Sequence, residues 1–240
     1  MVIYLTGSVE EEISFDFRRL FPEKCGLAAA VNVDPASQYV YDCLLLQVKR
    51  GEAGAGIVSS HQGHLEQRRR LGPVTENFLG EDFRASEFST KLPGSLAIGH
   101  TRYATQGGSD EVANVHPLLF GNTKYGPFAV AHNGQLIIPG SIREGLLGGG
   151  SIFRSTTDTE LFAHLIVKSG APTLEDAIAD AAQQIPAAYS FLFLTPDKVI
   201  AMRDKFGVRP LSVGTLGSGY LICSETWLWI SFQKCVMRME

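Results

Sequence analysis

Four short strings in this chain carry groups that could act together on an amide. They are Cys25-Gly26, His100-Thr101-Arg102-Tyr103-Ala104-Thr105, His132-Asn133-Gly134 and Thr157-Asp158-Thr159-Glu160. Between them they supply a thiol, a cation, an amide donor and a carboxylate. A thiolate attacks a carbonyl carbon, N–H donors hold the oxyanion that forms, and a fixed plus and minus grip the α-carboxylate and α-amine of an amino acid. Each string alone has a plainer reading. An arginine after a strand is ordinarily a surface ion pair, Asn-Gly between apolar runs is ordinarily a hairpin turn, and Thr-Asp before a helix is ordinarily a cap. The combination is what points to hydrolysis of an amino-acid amide.

The remaining reactive residues carry less. Cys25, Cys43, Cys223 and Cys235 form no CxxC pair, and the histidines form no HExxH, so no metal site is expected. Cys43, Cys223 and Cys235 read as small buried hydrophobes. There is no GxxxxGK[ST], and no GxGxxG follows a strand. Gly51, Gly54 and Gly56 read as a tight turn into a strand at Ile57 and Val58. The polar stretch 61–70, ending in Arg68, Arg69 and Arg70, reads as a solvated face.

These groups need elements to hold them. Cys25 opens a strand that reaches Val33, with residues able to be buried on both faces. Pro35 opens a helix whose apolar face is Val40, Tyr41, Leu44, Leu45 and Val48. Further strands are predicted over 54–60, 96–100 and 128–131. The three glycines Gly148 to Gly150 read as a flexible connector. Asp158 begins a helix capped by Thr157 or by Asp158 itself, and Thr173 caps another that runs through Ala182. Short strands follow over 188–194, 199–202, 211–213 and 220–223. Strand-rich, then helical, then strand-rich is not the alternation of a doubly wound parallel sheet. The order predicts an α+β fold, with two mainly antiparallel sheets and helices packed outside.

Composition limits the setting. The chain has 240 residues, 45% hydrophobic and 19% charged, with a net charge of −4. That excludes a disordered tail and a disulfide-dense miniprotein, and it lacks the basic excess of a protein that lives on nucleic-acid phosphates. No apolar run approaches the roughly 18 residues of a membrane helix. Val2 to Leu5, followed by Glu10, Glu11 and Glu12, has neither the basic start nor the long apolar stretch of a secretory signal, and it does not read as a core strand. A reducing cytoplasm with free thiols is the expectation.

Further strings join the first four. They are Arg50-Gly51-Glu52-Ala53-Gly54-Ala55-Gly56, Asn114-Val115-His116-Pro117-Leu118, Gly207-Val208-Arg209-Pro210-Leu211 and Ser224-Glu225-Thr226. In order and spacing the set resembles the glutaminase domain of class II glutamine amidotransferases, the N-terminal-nucleophile type. The last two strings favour the amidophosphoribosyltransferases over glucosamine-phosphate or asparagine synthases. The resemblance implies a four-layer αββα sandwich. It implies Cys25 as nucleophile, Asn133 and Gly134 as oxyanion donors, Arg102 on the glutamine α-carboxylate, Thr105 in the glutamine-binding loop and Asp158 on the α-amine. L-glutamine would be hydrolysed to glutamate and ammonia through a Cys25 thioester, the ammonia passing to phosphoribosylpyrophosphate in purine biosynthesis.

The same resemblance divides the chain. Residues 1–24 become a candidate propeptide whose removal between Lys24 and Cys25 would free an α-amine as general base. Residues 25–227 form the glutaminase domain, and 228–240 diverge where the family's phosphoribosyltransferase domain begins. That half, with the Mg2+ that serves it, is expected on a separate domain or subunit. No cofactor is expected in this chain, and no iron–sulfur cluster. The family forms oligomers, so a homo-oligomer is allowed; neither nucleic acid nor membrane is an expected partner. Two alternatives stay open: a non-catalytic or unprocessed subunit, and a class II amidotransferase with another acceptor.

Overall fold

The computed structural model describes residues 2–5, 25–79, 83–103, 111–185, 187–226 and 235–238. Twelve strands and six α-helices run along it. In chain order they are β1 (Val2–Leu5), β2 (Gly26–Val31), α1 (Ala36–Leu46), β3 (Gly54–His61), β4 (His64–Leu71), α2 (Val74–Phe78), α3 (Phe88–Lys91), β5 (Leu96–Arg102), β6 (Leu118–Phe120) and β7 (Phe128–Gly134). After these come α4 (Gly140–Gly148), α5 (Asp158–Lys168), α6 (Leu174–Gln184), β8 (Tyr189–Leu194), β9 (Val199–Arg203), β10 (Ser212–Leu216), β11 (Gly219–Cys223) and β12 (Cys235–Arg238).

The pleat of β2 shows how the layers arise. Alternate residues of a strand face opposite sides, and here both sides are apolar and buried, so a layer must cover each. Ala28 and Ala30 pack outward against Val40, Tyr41 and Leu44 of α1 and against Phe78 and Phe88 of the short helices. Leu27, Ala29 and Val31 pack inward against Ala129 and Ala131 of β7 and Leu192 and Leu194 of β8. The second sheet repeats the logic. Phe128, Val130, Phe191 and Phe193 face outward to Phe162 and Ile166 of α5 and Ile178 of α6. Three stacked cores thus make four layers, helix, sheet, sheet and helix, as the sequence predicted.

One sheet has seven strands in the order β12-β10-β11-β2-β5-β3-β4, the other five in the order β1-β9-β8-β7-β6. Every described pairing is antiparallel except that β1 runs parallel to β9, with Val2 opposite Ile200. Val2–Leu5 therefore lies at a sheet edge, and Cys235–Arg238 lengthens the other sheet through β10. Most of 1–24 and of 228–240 lies outside the described residues.

Three local expectations need correction. The polar stretch 61–70 is not simply a solvated face, because His64–Leu71 pairs with β3 along its whole length as β4. Charged side chains suit an exposed edge. Arg68 nevertheless donates to the carbonyl of Asn77 at 2.8 Å and lies over the Phe83 ring, while Arg69 donates to the carbonyl of Val115 at 2.9 Å. Asn133-Gly134 is not a turn but the end of β7, paired with Ser190 and Tyr189. Gly54 and Gly56 lie within β3, in line with the strand predicted over 54–60. Gly148, read as part of a connector, closes α4.

Candidate active site

Cys25 stands immediately before β2 with φ 66° and is partly buried. Its backbone is tied to one residue at both polar atoms. The Cys25 N–H donates to the Arg50 carbonyl at 3.0 Å, and Arg50 Nη1 donates to the Cys25 carbonyl at 3.2 Å. Its Sγ accepts the Tyr103 N–H at 3.5 Å. Burial pushes the thiol pKa up; the Tyr103 N–H and the charges of Arg102 and Arg209 work against that, and Asp158 adds to it. The thiol is therefore protonated at neutral pH, and attack requires a base.

Register brings the cation alongside. β2 and β5 pair with Gly26 opposite Thr101, so Cys25 lies across from Arg102. The peptide that follows Arg102 also supplies the N–H on Sγ, and Gly51 packs against that peptide. A Cβ on Gly51 would sit 2.6 Å from Tyr103 N, so only glycine leaves this approach undisturbed.

Asn133 and Gly134 come from the facing sheet. Asn133 is 1% exposed, and among the described residues neither its Nδ2 nor its Oδ1 has a hydrogen-bond partner. Such an amide costs about 1–3 kcal/mol if left unsatisfied, which marks a place a ligand completes. Gly134 has φ 150°, and a Cβ there would lie 2.6 Å from the Ala188 carbonyl and 2.8 Å from His132 Nε2.

Asp158 is the first residue of α5. Its Oδ2 accepts the Leu136 N–H at 2.7 Å, and its Oδ1 lies 3.6 Å from His132 Nδ1. Burial alone would raise its pKa; His132 beside it and the Leu136 N–H outweigh that and hold it at about 2. It is a carboxylate throughout the physiological range. The loop before it is fixed from two sides. Glu160, 4% exposed, accepts the N–H groups of Arg154 at 2.8 Å and Ser155 at 2.6 Å, and the Ser155 hydroxyl at 2.6 Å. Asn114 Oδ1 accepts the Thr156 N–H at 3.0 Å. Thr157 is the N-cap, its hydroxyl accepting the Glu160 N–H at 3.4 Å.

Three buried imidazoles adjoin this constellation. His132 Nδ1 lies 3.0 Å from Thr159 Oγ1, with its ring stacked on Phe191 at 4.3 Å. The rings of His100 and His116 meet at 4.7 Å. Burial, and then the neighbouring histidines, push His100 far below the usual range and His116 down to about 3. Among the described residues no three His, Cys, Asp or Glu side chains converge as metal ligands.

The structure thus sets Arg102 and Asp158, with their opposite charges, within electrostatic reach of the Cys25 thiol, and puts Asn133 and Gly134 at the end of the strand that leads toward Asp158. Thr105 lies outside the described residues. Sequence reasoning gave no role to Arg50, the Tyr103 N–H, Arg209 or His132. The strings containing Arg50 and Arg209 were visible, but only as family marks.

Two facing sheets clothed by helices, with a cysteine at the head of a central strand, give this chain the fold of the N-terminal-nucleophile hydrolases. Comparison with known families is more specific. The model of the glutamine amidotransferase domain matches residues 80–237, and the chain belongs to that family. It is 39% identical over 204 residues to an amidophosphoribosyltransferase of Bacillus subtilis, and 40% identical over 205 residues to a chloroplastic amidophosphoribosyltransferase of Arabidopsis thaliana. Each match covers 85% of this chain but only 41% and 37% of the relative, so the chain spans about two fifths of their length. The solved glutamine phosphoribosylpyrophosphate amidotransferase of B. subtilis, complexed with ADP and GMP, superposes with TM-score 0.80 at 36% identity, over 89% of this chain and 44% of that one. Among the described residues no helix is long and apolar enough to cross a membrane.

Proposed function

We propose that this chain hydrolyses L-glutamine through a thioester on Cys25 and delivers the ammonia to phosphoribosylpyrophosphate. The observation that carries the reading is Asn133, a buried amide with no partner among the described residues, on the strand that faces the thiol's sheet. The reading requires removal of residues 1–24. The freed α-amine of Cys25, with an ordinary pKa of about 7.7 to 8.0, takes the thiol proton that no described side chain is placed to accept.

The thiolate then attacks the glutamine side-chain carbonyl, forming a C–S bond, and the oxyanion is held by Asn133 Nδ2 and the Gly134 N–H. Arg102 pairs with the α-carboxylate and Asp158 with the α-ammonium, so only an α-amino acid is gripped at both ends. Collapse breaks the C–N bond, and the Cys25 α-ammonium returns the thiol's proton to the leaving nitrogen, which departs as ammonia. Water, deprotonated by the same amine, cleaves the thioester and releases glutamate. Thr105 adds to the glutamine loop. The acceptor is bound by a phosphoribosyltransferase domain or subunit, giving phosphoribosylamine for purine synthesis; the support for this step is the naming of relatives of which this chain spans two fifths. The need for a free thiol sets the reaction in a reducing compartment, the cytoplasm.

Intact-mass measurement and glutamate release test the reading together. The purified protein is expected to lose residues 1–24 and to release glutamate, and Cys25→Ala is expected to do neither. A protein that keeps its first 24 residues and releases no glutamate refutes it.

A further inference from the structure

We infer that Arg50 is a positioning residue that orients the nucleophile's α-amine, and that Glu225 sets the charge Arg50 presents to it. The inference rests on the glutaminase reading and deepens it. Arg50 is 5% exposed and ends the tight turn Val48–Arg50 that follows α1. No other described residue holds both backbone polar atoms of Cys25: the Arg50 carbonyl takes the N–H at 3.0 Å, and its guanidinium donates to the carbonyl at 3.2 Å. The guanidinium also donates through Nε to Glu225 at 2.5 Å. Glu225 is in turn anchored to β2, because its neighbour Ser224 accepts the Leu27 N–H at 3.0 Å and donates its own N–H to the Leu27 carbonyl at 3.1 Å.

Two consequences follow for an amine freed at Cys25. An amine on a tetrahedral carbon rotates among three staggered settings. Keeping one N–H on the Arg50 carbonyl selects among them, and so decides whether the lone pair can face Sγ. The second consequence is electrostatic. A guanidinium on the carbonyl of the same residue disfavours the ammonium form, and Glu225 partly cancels that cation. Loss of the Arg50 charge therefore favours the ammonium. Loss of the Glu225 charge disfavours it further.

The variants Arg50→Met, Arg50→Lys and Glu225→Gln, made in the full chain, separate this role from a merely structural ion pair. Each is read by intact mass, near-ultraviolet circular dichroism and the pH profile of glutamate release. Arg50→Met is expected to lower kcat roughly tenfold to a hundredfold, as loss of reactive-group orientation does, with KM for glutamine within about twofold of wild type. The acidic limb of kcat/KM is expected to move up in pH for Arg50→Met and down for Glu225→Gln. Arg50→Lys keeps the charge but not the fork, so it should lower kcat with the limb near its wild-type position. Limbs that move together or not at all, or an effect on KM alone, overturn it. If the wild type is processed and active while the variants match it, this inference fails alone. If the wild type is neither processed nor active, the glutaminase reading fails and takes the inference with it.

Discussion

Lowering the pH from 7.5 to 5 is expected to destabilise this protein well before Asp158 is protonated. His100 and His116 lie buried ring against ring, 1% and 6% exposed, beside the His132 backbone. In the unfolded chain each takes a proton near pH 6.5. In the folded chain burial, His132 and Arg102 hold His116 neutral down to about 3, and His100 is shifted the same way. Between those values the unfolded state binds more protons, so stability falls as pH falls. For His116 the difference between pH 7.5 and pH 5 is about 2 kcal/mol, and His100 acts in the same direction. Asp158 works in a separate window. Its folded pKa of about 2 lies below the ordinary 3.8, so the stability it contributes is lost only as pH falls through that lower range. Urea unfolding followed by far-ultraviolet circular dichroism at pH 7.5, 6 and 5 measures the slope. His116→Phe keeps a ring in the stack and removes one proton site, so its loss of stability between pH 7.5 and 5 should be smaller by about 2 kcal/mol, most of it below pH 6.5. His164, which burial also lowers, shifts both proteins alike. Equal stability of the wild type at pH 7.5 and 5, or identical slopes for wild type and His116→Phe, would refute the assignment of two neutral buried imidazoles.

Asn133→Ala should cost about 2.7 to 4 kcal/mol in transition-state stabilisation, and because the amide has no partner among the described residues, thermal unfolding should move little or upward. Full turnover in that variant would remove Asn133 from the oxyanion site. Gly51→Ala should lower kcat by displacing the Arg102–Tyr103 peptide, since a Cβ would lie 2.6 Å from Tyr103 N; turnover equal to wild type would show that the peptide is not needed where it stands. Glu160→Ala removes the acceptor of three hydrogen bonds and leaves the buried Ser155 N–H without its partner. A loss of about 1–3 kcal/mol in unfolding free energy and a raised KM for glutamine are expected, read by urea titration and steady-state kinetics. Asp158→Asn should raise KM for glutamine far more than for an analogue lacking the α-amine; equal effects on both would take the amine contact away from Asp158.

Features set by near neighbours in sequence were legible. Val40, Tyr41 and Leu44 recur at helical spacing, and they are the buried face of α1. Thr157 and Thr173 precede helices with acidic first turns, and both side chains accept a hydrogen bond there. β4 was not legible because an edge strand buries little. Its residues carry charge for solubility, and the pairing that makes it a strand comes from β3. α4 hid in the same way, since Leu146 is its only buried residue.

The site illustrates the harder limit. Asn-Gly has a strong local preference for a hairpin turn, and nothing within ten residues of Asn133 opposes it. What opposes it is Ser190 and Tyr189, more than fifty residues later, which pair with Asn133 and Gly134 and keep β7 extended. Strand pairing then denies the Asn133 side chain the turn's own backbone as a partner, and burial denies it water. An amide in that position has nothing left to bond except what enters the site. Arg50 keeps its local role, closing a short turn, but its partner is just as remote. Only the closing of β11 onto β2 brings Glu225 within 2.5 Å of it and makes a surface-type residue into a buried brace on Cys25. At Asn133 a distant strand overrules the local preference, and at Arg50 the local turn stands but a distant strand supplies the partner that buries it.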